Sequence, residues 1–187
     1  MSGSRKAAFL DRDGVINVDY GYVSAWEKFT FLPGAAVALQ TLYRAGYQLV
    51  VVSNQSGIGR GFYTEHDLMT LNRAISAHMK DEFDTHISGF YHCPHHPTEA
   101  LGLLRMVCEC RKPAPGMILR AARELDLELS ESLLVGDKSS DILAGRAAGV
   151  RRMFKVGDPL SLRHAAADAE TVSALSEVPG RLTTLAT

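Results

Sequence analysis

Short apolar runs that each stop at polar residues, separated by stretches of helical periodicity, constrain this chain's fold more than any other feature. Lys6–Leu10 reads as a buried strand ending at Asp11, and Gln48–Ser53 (Gln-Leu-Val-Val-Val-Ser) reads as a second that runs into Asn54. Ile87–Tyr91, Ser132–Val135 and Arg151–Val156 complete the expected set. Helices are expected near Gly34–Ala45, Thr64–Phe83, Gly116–Leu127 and Asp141–Ala148. Leu68, Leu71, Ile75 and Met79 recur three or four apart and make one apolar helix face. Thr64 with Asp67 three residues on reads as the start of that helix. Gly46 and Gly149 fall just past helix ends, where glycine accepts a left-handed backbone. Strand alternating with helix implies an α/β fold, a doubly wound, Rossmann-like parallel sheet covered on both faces. The Ala-rich tail after Pro159 adds nothing to this pattern.

A length of 187 residues suits a single domain with one core, taken here as 1–187. Lysine and arginine total 20 against 21 aspartates and glutamates, a net charge of −1. A general nucleic-acid binder normally carries a basic excess, so any anion site here must be local. No apolar run is long enough to span a membrane, and the one before Asp11 is too short for a signal-peptide core. The expectation is a soluble, cytoplasmic protein with neither a membrane nor a nucleic-acid partner.

Ligands of parallel α/β sheets bind beyond the carboxyl ends of the strands. The residues expected there are Asp11 and Asp13, then Ser53 to Ser56, then His92 to Cys110, then Gly136 to Asp141, and this agreement between fold and polarity points to a site. The residue types suit the cleavage of a phosphate monoester, a dianion whose charge must be offset while a nucleophile is placed in line and the leaving oxygen is protonated. Asp11 can attack phosphorus. Asp13, two residues on, can give a proton to the leaving oxygen and later take one from water. Gly14 lets the backbone turn closely past the ligand. Magnesium prefers oxygen ligands, and Asp11, the Asp13 carbonyl and Asp137 can supply them, with Asp141 as an outer partner or helix cap. Ser53 and the backbone N–H groups of Asn54-Gln55-Ser56 can bind phosphoryl oxygens, and Lys112 can neutralise the same group.

All three cysteines lie in one stretch, Cys93, Cys108 and Cys110, together with three of the seven histidines. Taking Cys93 and His95, the pattern is Cys-x-His, twelve residues, then Cys-x-Cys. Three thiolates and an imidazole close a tetrahedral zinc shell, the structural kind. His92 and His96 compete with His95 for the fourth place. Such an ion would staple the 92–110 loop, which is long and polar for an unaided connection, and would place Arg111 and Lys112 over the strand ends.

Asp11-Arg12-Asp13-Gly14-Val15, Ser53-Asn54-Gln55, Lys112 and Gly136-Asp137-Lys138-Ser139-Ser140-Asp141 resemble, in order, the four motifs of the haloacid dehalogenase superfamily of phosphatases, over about residues 7–155. Cys93-Pro94-His95-His96-Pro97 with Cys108-Glu109-Cys110-Arg111-Lys112-Pro113 is similar to the zinc-loop branch that holds heptose bisphosphate phosphatases and histidinol-phosphate phosphatases. The heptose enzymes make precursors of lipopolysaccharide or surface glycans. The resemblance implies a capless, monomeric enzyme with catalytic Mg2+ and structural Zn2+, acting on a small sugar bisphosphate. It implies Asp11 as nucleophile and Mg2+ ligand, Asp13 as acid/base and Mg2+ ligand, and Asp137 as the remaining protein ligand. Ser53 and Lys112 would hold the phosphoryl group. Arg12, Asp19, Tyr20, Gly21, Tyr22, Asn54, Gln55, Ser56, Arg111 and Lys138 would line the substrate site, with Arg111 meeting a second phosphate. A phosphoaspartate receiver and a non-catalytic zinc module are the readings from other classes. Asp13 speaks against the receiver, because an acid/base beside the nucleophile serves turnover rather than storage.

Overall fold

The computed structural model describes residues 5–157 and 169–183. Strands β1 (Ala7–Leu10), β2 (Gln48–Asn54), β3 (Ile87–Cys93), β4 (Leu133–Gly136), β5 (Arg152–Val156) and β6 (Ala169–Val172) form one parallel sheet in the order β3-β2-β1-β4-β5-β6. The helices are α1 (Ala35–Arg44), α2 (Ser56–Gly59), α3 (Glu65–Phe83), α4 (Gly116–Leu125), α5 (Ser139–Ala148) and α6 (Val178–Thr183).

Alternate residues of each strand feed two cores, because side chains alternate across a strand. Ala8 and Leu10 of β1, with Leu49, Val51, Leu133, Val135 and Phe154, pack towards Leu39 and Leu42 of α1 and Leu71, Ile75 and Met79 of α3. Ala7, Phe9, Val50, Val52, Leu134 and Met153 face the other way, onto Met117, Ile118 and Ala121 of α4 and Ile142 and Ala144 of α5. Phe9, at the sheet centre, is fully buried, and such a side chain contributes roughly 1.5–3 kcal/mol by leaving water. The unbroken apolar runs of β1, β2 and β4 are therefore the sequence mark of a sheet covered on both sides.

The chain winds outwards from β1 through β2 to β3, then returns to lay β4 on the opposite side of β1. That reversal opens a crevice at the carboxyl ends of β1 and β4. Asp11 N–H donates to Val135 O at 2.9 Å, so the ladder extends one residue past β1 and fixes Asp11 at the crevice.

The expected elements are present with modest changes of boundary. β3 runs to Cys93 rather than Tyr91, because Ser53 and Asn54 of β2 continue to pair with His92 and Cys93. α5 begins at Ser139, with Asp141 accepting the Lys138 N–H at 2.9 Å in its first turn. The short α2 and the strand and helix of the tail, β6 and α6, were not anticipated. β6 is only Ala-Glu-Thr-Val on the sheet edge, and its pairing with Met153–Val156 organises it rather than local preference. Residues 158–168 of the tail lie outside the described residues.

At the start of α3, Thr64 Oγ1 accepts the Asp67 N–H at 3.1 Å and Asp67 accepts the Thr64 N–H at 2.8 Å, a reciprocal cap. Thr64→Ala is expected to lower unfolding free energy by about 1 kcal/mol, read as a lower urea midpoint at unchanged slope.

Candidate active site

The centre of the site is a buried ammonium between two carboxylates. Lys112 Nζ donates to Asp11 Oδ1 at 2.9 Å and to Val52 O at 2.8 Å, and it stands 2.8 Å from Asp141 Oδ1 as an ion pair. Lys112, Asp11 and Asp141 are each 5% exposed or less. Burial works against the Lys112 charge, but Asp11 and Asp141 outweigh it and hold its pKa above the ordinary lysine value. The backbone of Lys112 is fastened by Asn54 at the end of β2, whose Nδ2 donates to Lys112 O at 3.1 Å and whose Oδ1 accepts Lys112 N–H at 3.0 Å. The expected substrate residue Asn54 thus faces the cavity while its amide is committed to Lys112.

The loop after β4 brings further carboxylates. Oxygens of Asp11, Asp137 and Asp141 lie within 4.8 Å of one another. Burial and then the Asp11 charge push the Asp137 carboxyl up to about 6. Asp137 Oδ1 and Asp141 Oδ1 are both buried without a hydrogen-bond partner, but Asp141 Oδ1 stands 2.8 Å from the Lys112 ammonium and its other oxygen accepts the Lys138 N–H. An orphaned carboxylate oxygen beside a second carboxylate fits a hard divalent cation, and Asp11 with Asp137 are the residues free to hold one. Gly14 makes room for this approach: its φ is +85°, and a Cβ there would stand 2.5 Å from Asp137 Oδ2.

Asp13 is held by several donors. Arg12 Nη2 lies 3.0 and 2.9 Å from its two oxygens, Asn17 Nδ2 donates to it at 2.9 Å, and Gln55 Nε2 at 3.2 Å. Gln55 Nε2 also donates to Ser53 Oγ at 2.7 Å, and Gln55 Oε1 accepts the Tyr63 hydroxyl. Burial pushes the Tyr63 phenol up to about 12, so it stays a neutral donor. Arg12, expected at the substrate wall, has its side chain 1% exposed and turned inwards to Asp13 and to Val23 O at 2.6 Å. Asn17 and Tyr63 were missed. Asn17 is a fully buried polar residue directly after the apolar pair Val15-Ile16, and that contrast was the available signal.

A second cluster closes the 92–110 loop. Cys93, Cys108 and Cys110 are free thiols with mutual Sγ distances of 3.1 to 3.5 Å. His95 Nδ1 lies 3.3 Å from Cys110 Sγ and 3.5 Å from Cys93 Sγ. Zinc–sulfur bonds of about 2.3 Å imply tetrahedral edges of ~3.8 Å, so the four atoms surround a space suited to one such ion with slight expansion. The competing histidines are engaged elsewhere: His92 Nε2 pairs with Glu65 at 3.0 Å, and His96 Nδ1 accepts the Glu99 N–H at 3.0 Å. Cys93 is the last residue of β3, so the cluster is anchored in the sheet itself. Arg111 donates to His95 O at 3.0 Å, which couples this cation to the cluster directly.

A cavity of about 540 Å³ sits over the crevice, walled by Asp13, Asp19, Gly21, Tyr22, Gln55 and Ser56 with Asn54, Arg111, Lys112 and Lys138. A compartment of about 40 Å³ adjoins it at Asp11, Ser53 and Lys112. Lys138 Nζ lies 3.9 Å from Asp19 Oδ2, and both residues line the cavity. Tyr20, between the wall residues Asp19 and Gly21, is 63% exposed and does not line the cavity in this structure.

Paired aspartates after the first strand, a hydroxyl at the end of the second, a buried lysine and an acid after the fourth are the fold and site of a haloacid-dehalogenase-type hydrolase, and the HAD-hydrolase-like family model matches residues 109–158. The chain is 40% identical over 184 residues to a D-glycero-beta-D-manno-heptose-1,7-bisphosphate 7-phosphatase of Salmonella typhi, covering 97% of both chains. It is 43% identical over 159 residues to the protein of that name from Pasteurella multocida, covering 84% of this chain and 85% of the relative. A crystal structure of D,D-heptose 1,7-bisphosphate phosphatase from B. bronchiseptica, complexed with magnesium and phosphate, superposes with a TM-score of 0.82 at 29% identity, over 95% of this chain and 97% of that one. The chain belongs to the D-glycero-beta-D-manno-heptose-1,7-bisphosphate 7-phosphatase family of HAD-like phosphatases.

Cys108→Ser is expected to lower bound zinc, the thermal midpoint and phosphatase activity together, because Arg111 and Lys112 follow the cluster directly. Elemental analysis, thermal melting and phosphate release check it; unchanged metal content and activity would refute the coupling.

Proposed function

We propose that this protein hydrolyses the C7 phosphate of D-glycero-beta-D-manno-heptose 1,7-bisphosphate and leaves the C1 phosphate in place. The observation that carries this reading is Asp11, fixed at the crevice against the buried Lys112 ammonium, beneath a 540 Å³ cavity whose wall carries two more cations, Arg111 and Lys138. One cationic centre serves the phosphoryl group to be transferred and the others serve a second anion. The names of the curated relatives supply the sugar and the anomer.

Asp11 Oδ2 is the nucleophile, since Oδ1 accepts from Lys112. As the bond from Asp11 to phosphorus forms, the bond from phosphorus to O7 breaks, and the leaving alkoxide takes the proton of Asp13. A water then attacks the aspartyl phosphate and gives its proton to Asp13, which releases inorganic phosphate and restores both carboxyl groups. Lys112 offsets charge on the phosphoryl oxygens. Ser53 accepts from Gln55 and so keeps its own hydroxyl proton to donate to one of them. Arg12, Asn17 and Gln55 orient Asp13. Mg2+, which the Asp11 and Asp137 carboxylates and the Asp13 carbonyl would hold, supplies further neutralisation of the phosphoryl oxygens when bound. Zn2+ on Cys93, His95, Cys108 and Cys110 would be structural, with every position taken by protein.

Histidinol phosphate carries an ammonium where the bisphosphate carries an anion, and Arg111 and Lys138 oppose it. The test compares kcat/KM for the β-bisphosphate, its α-anomer and histidinol phosphate with Mg2+ present. The β-bisphosphate is expected to be preferred, and a preference for histidinol phosphate would overturn the assignment. Asp11→Asn is expected to abolish turnover, and Asp13→Asn to lower kcat by about 10²- to 10⁴-fold. Normal turnover by Asp11→Asn would refute the mechanism.

A further inference from the structure

Arg60, just past α2, joins three segments far apart in sequence, and no step above uses it. Its Nη1 donates to the Tyr22 hydroxyl in the loop after β1 and to Glu99 Oε2 at 2.8 Å in the metal-stapled loop. Its guanidinium carbon lies 4.8 Å from the Phe62 ring centroid and 5.4 Å from that of Tyr22, distances of cation–π contact. Tyr22 and Phe62 meet edge to face at 4.7 Å. The stapled loop also rests on α2 independently, since Leu101 N–H donates to Gly59 O at 2.7 Å. Gly59 is closely covered there: a Cβ on it would stand 2.4 Å from Pro94 O.

Tyr22 is the residue that needs this support. Its φ is 55°, a left-handed conformation that costs a residue other than glycine of order 1–3 kcal/mol and persists where surroundings enforce it. Its ring is confined by Gly57, whose added Cβ would stand 2.9 Å from Tyr22 Cδ1, by the edge of Phe62, and by Arg60 at the hydroxyl. Because Arg60 occupies a lone pair of that hydroxyl, the Tyr22 proton remains for donation. Tyr22 walls the 540 Å³ cavity but not the compartment at Asp11, so it meets the part of a ligand that is not the transferred phosphoryl group. The Arg60 cation, satisfied by Glu99 and Tyr22, is no anion receptor of its own.

We propose that Arg60 is a positioning residue for substrate discrimination: it latches Tyr22 to Glu99 of the stapled loop and so presets the wall that receives the sugar and second-phosphate half of the substrate. The proposal rests on the sugar bisphosphate reading above. Wall loops ordered before binding spare the ligand the entropy of ordering them, an advantage for a bisphosphate that reaches this wall and none for a small ester that does not.

The experiment measures kcat and KM of the zinc- and magnesium-loaded wild type, Arg60→Met, Tyr22→Phe and the double variant, on the β-bisphosphate and on p-nitrophenyl phosphate. Arg60→Met is expected to raise KM for the bisphosphate, so that its kcat/KM falls about tenfold more than that for p-nitrophenyl phosphate, the consequence of losing one charge-assisted hydrogen bond. Tyr22→Phe in the Arg60→Met background is expected to add little, because both changes break the same link. Glu99→Gln removes the ion pair alone and carries the same comparison if Arg60→Met does not fold. An unchanged ratio between the two substrates, an equal loss on both, or additive effects of the two substitutions would each overturn the latch. Wild-type turnover of p-nitrophenyl phosphate with none of the bisphosphate would instead overturn the substrate reading, and the latch's role in discrimination with it.

Discussion

The ion pair of Lys112 with Asp11 and Asp141 is the interaction on which the rest of the site depends. A buried charge is tolerated only with partners that replace its water, and here those partners are Asp11 just past β1, the Val52 carbonyl in β2 and Asp141 in α5. Strand order brings these elements together, because β4 returns beside β1. Asn54 then fixes where the lysine enters, by gripping its backbone from the last residue of β2. One ammonium therefore records the correct register of the strand ends, and the same ammonium meets Asp11. Gly136 shows how tight this arrangement is: a Cβ there would stand 2.2 Å from the Cβ of Asp141.

Much of this was legible in the sequence because the signals were of two strong kinds. Buried parallel strands are continuous apolar runs, so β1, β2 and β4 could be read directly, and polar residues that stop such runs mark the ligand end of the sheet. Asp11, Asp13, Ser53 and Asp137 were singled out this way, and Lys112 by its place beside the cysteine cluster; the fold brings their side chains to one crevice. The cysteine–histidine cluster was legible because all three cysteines and three histidines gather into one loop. What the sequence left open was which histidine completes the set, since that choice depends on the partners Glu65 and Glu99, which position along the chain does not reveal.

The features missed are those whose meaning is tertiary. Arg12 looks like a substrate cation beside two aspartates, yet backbone geometry turns it into the core, where it serves Asp13. Tyr20 and Tyr22 are alike in sequence, and only the fold places one in solvent and the other in the cavity wall. Asn17 and Tyr63 act on Asp13 directly or through Gln55, contacts with no local periodicity. β6 owes its form to β5 rather than to its own four residues. In each case long-range contact overrides local preference, as it does for edge strands generally.

The charge balance of the crevice explains why the supports around Asp13 matter. Asp11, Asp137 and Asp141 bring three carboxylates together against one buried ammonium, and like charges near 4 Å apart repel by about 4 kcal/mol at an effective dielectric of 20. Burial first, and then that repulsion, push the Asp137 carboxyl up to about 6. A phosphate dianion entering such a crevice adds to the excess, so its binding requires compensating positive charge in addition to Lys112. Asp13 meets the opposite condition, since Arg12, Asn17 and Gln55 all present donors to it. Two carboxyl groups two residues apart therefore experience unlike surroundings: Asp11 sits between the Lys112 ammonium and other carboxylates, while Asp13 is held in place by side-chain donors.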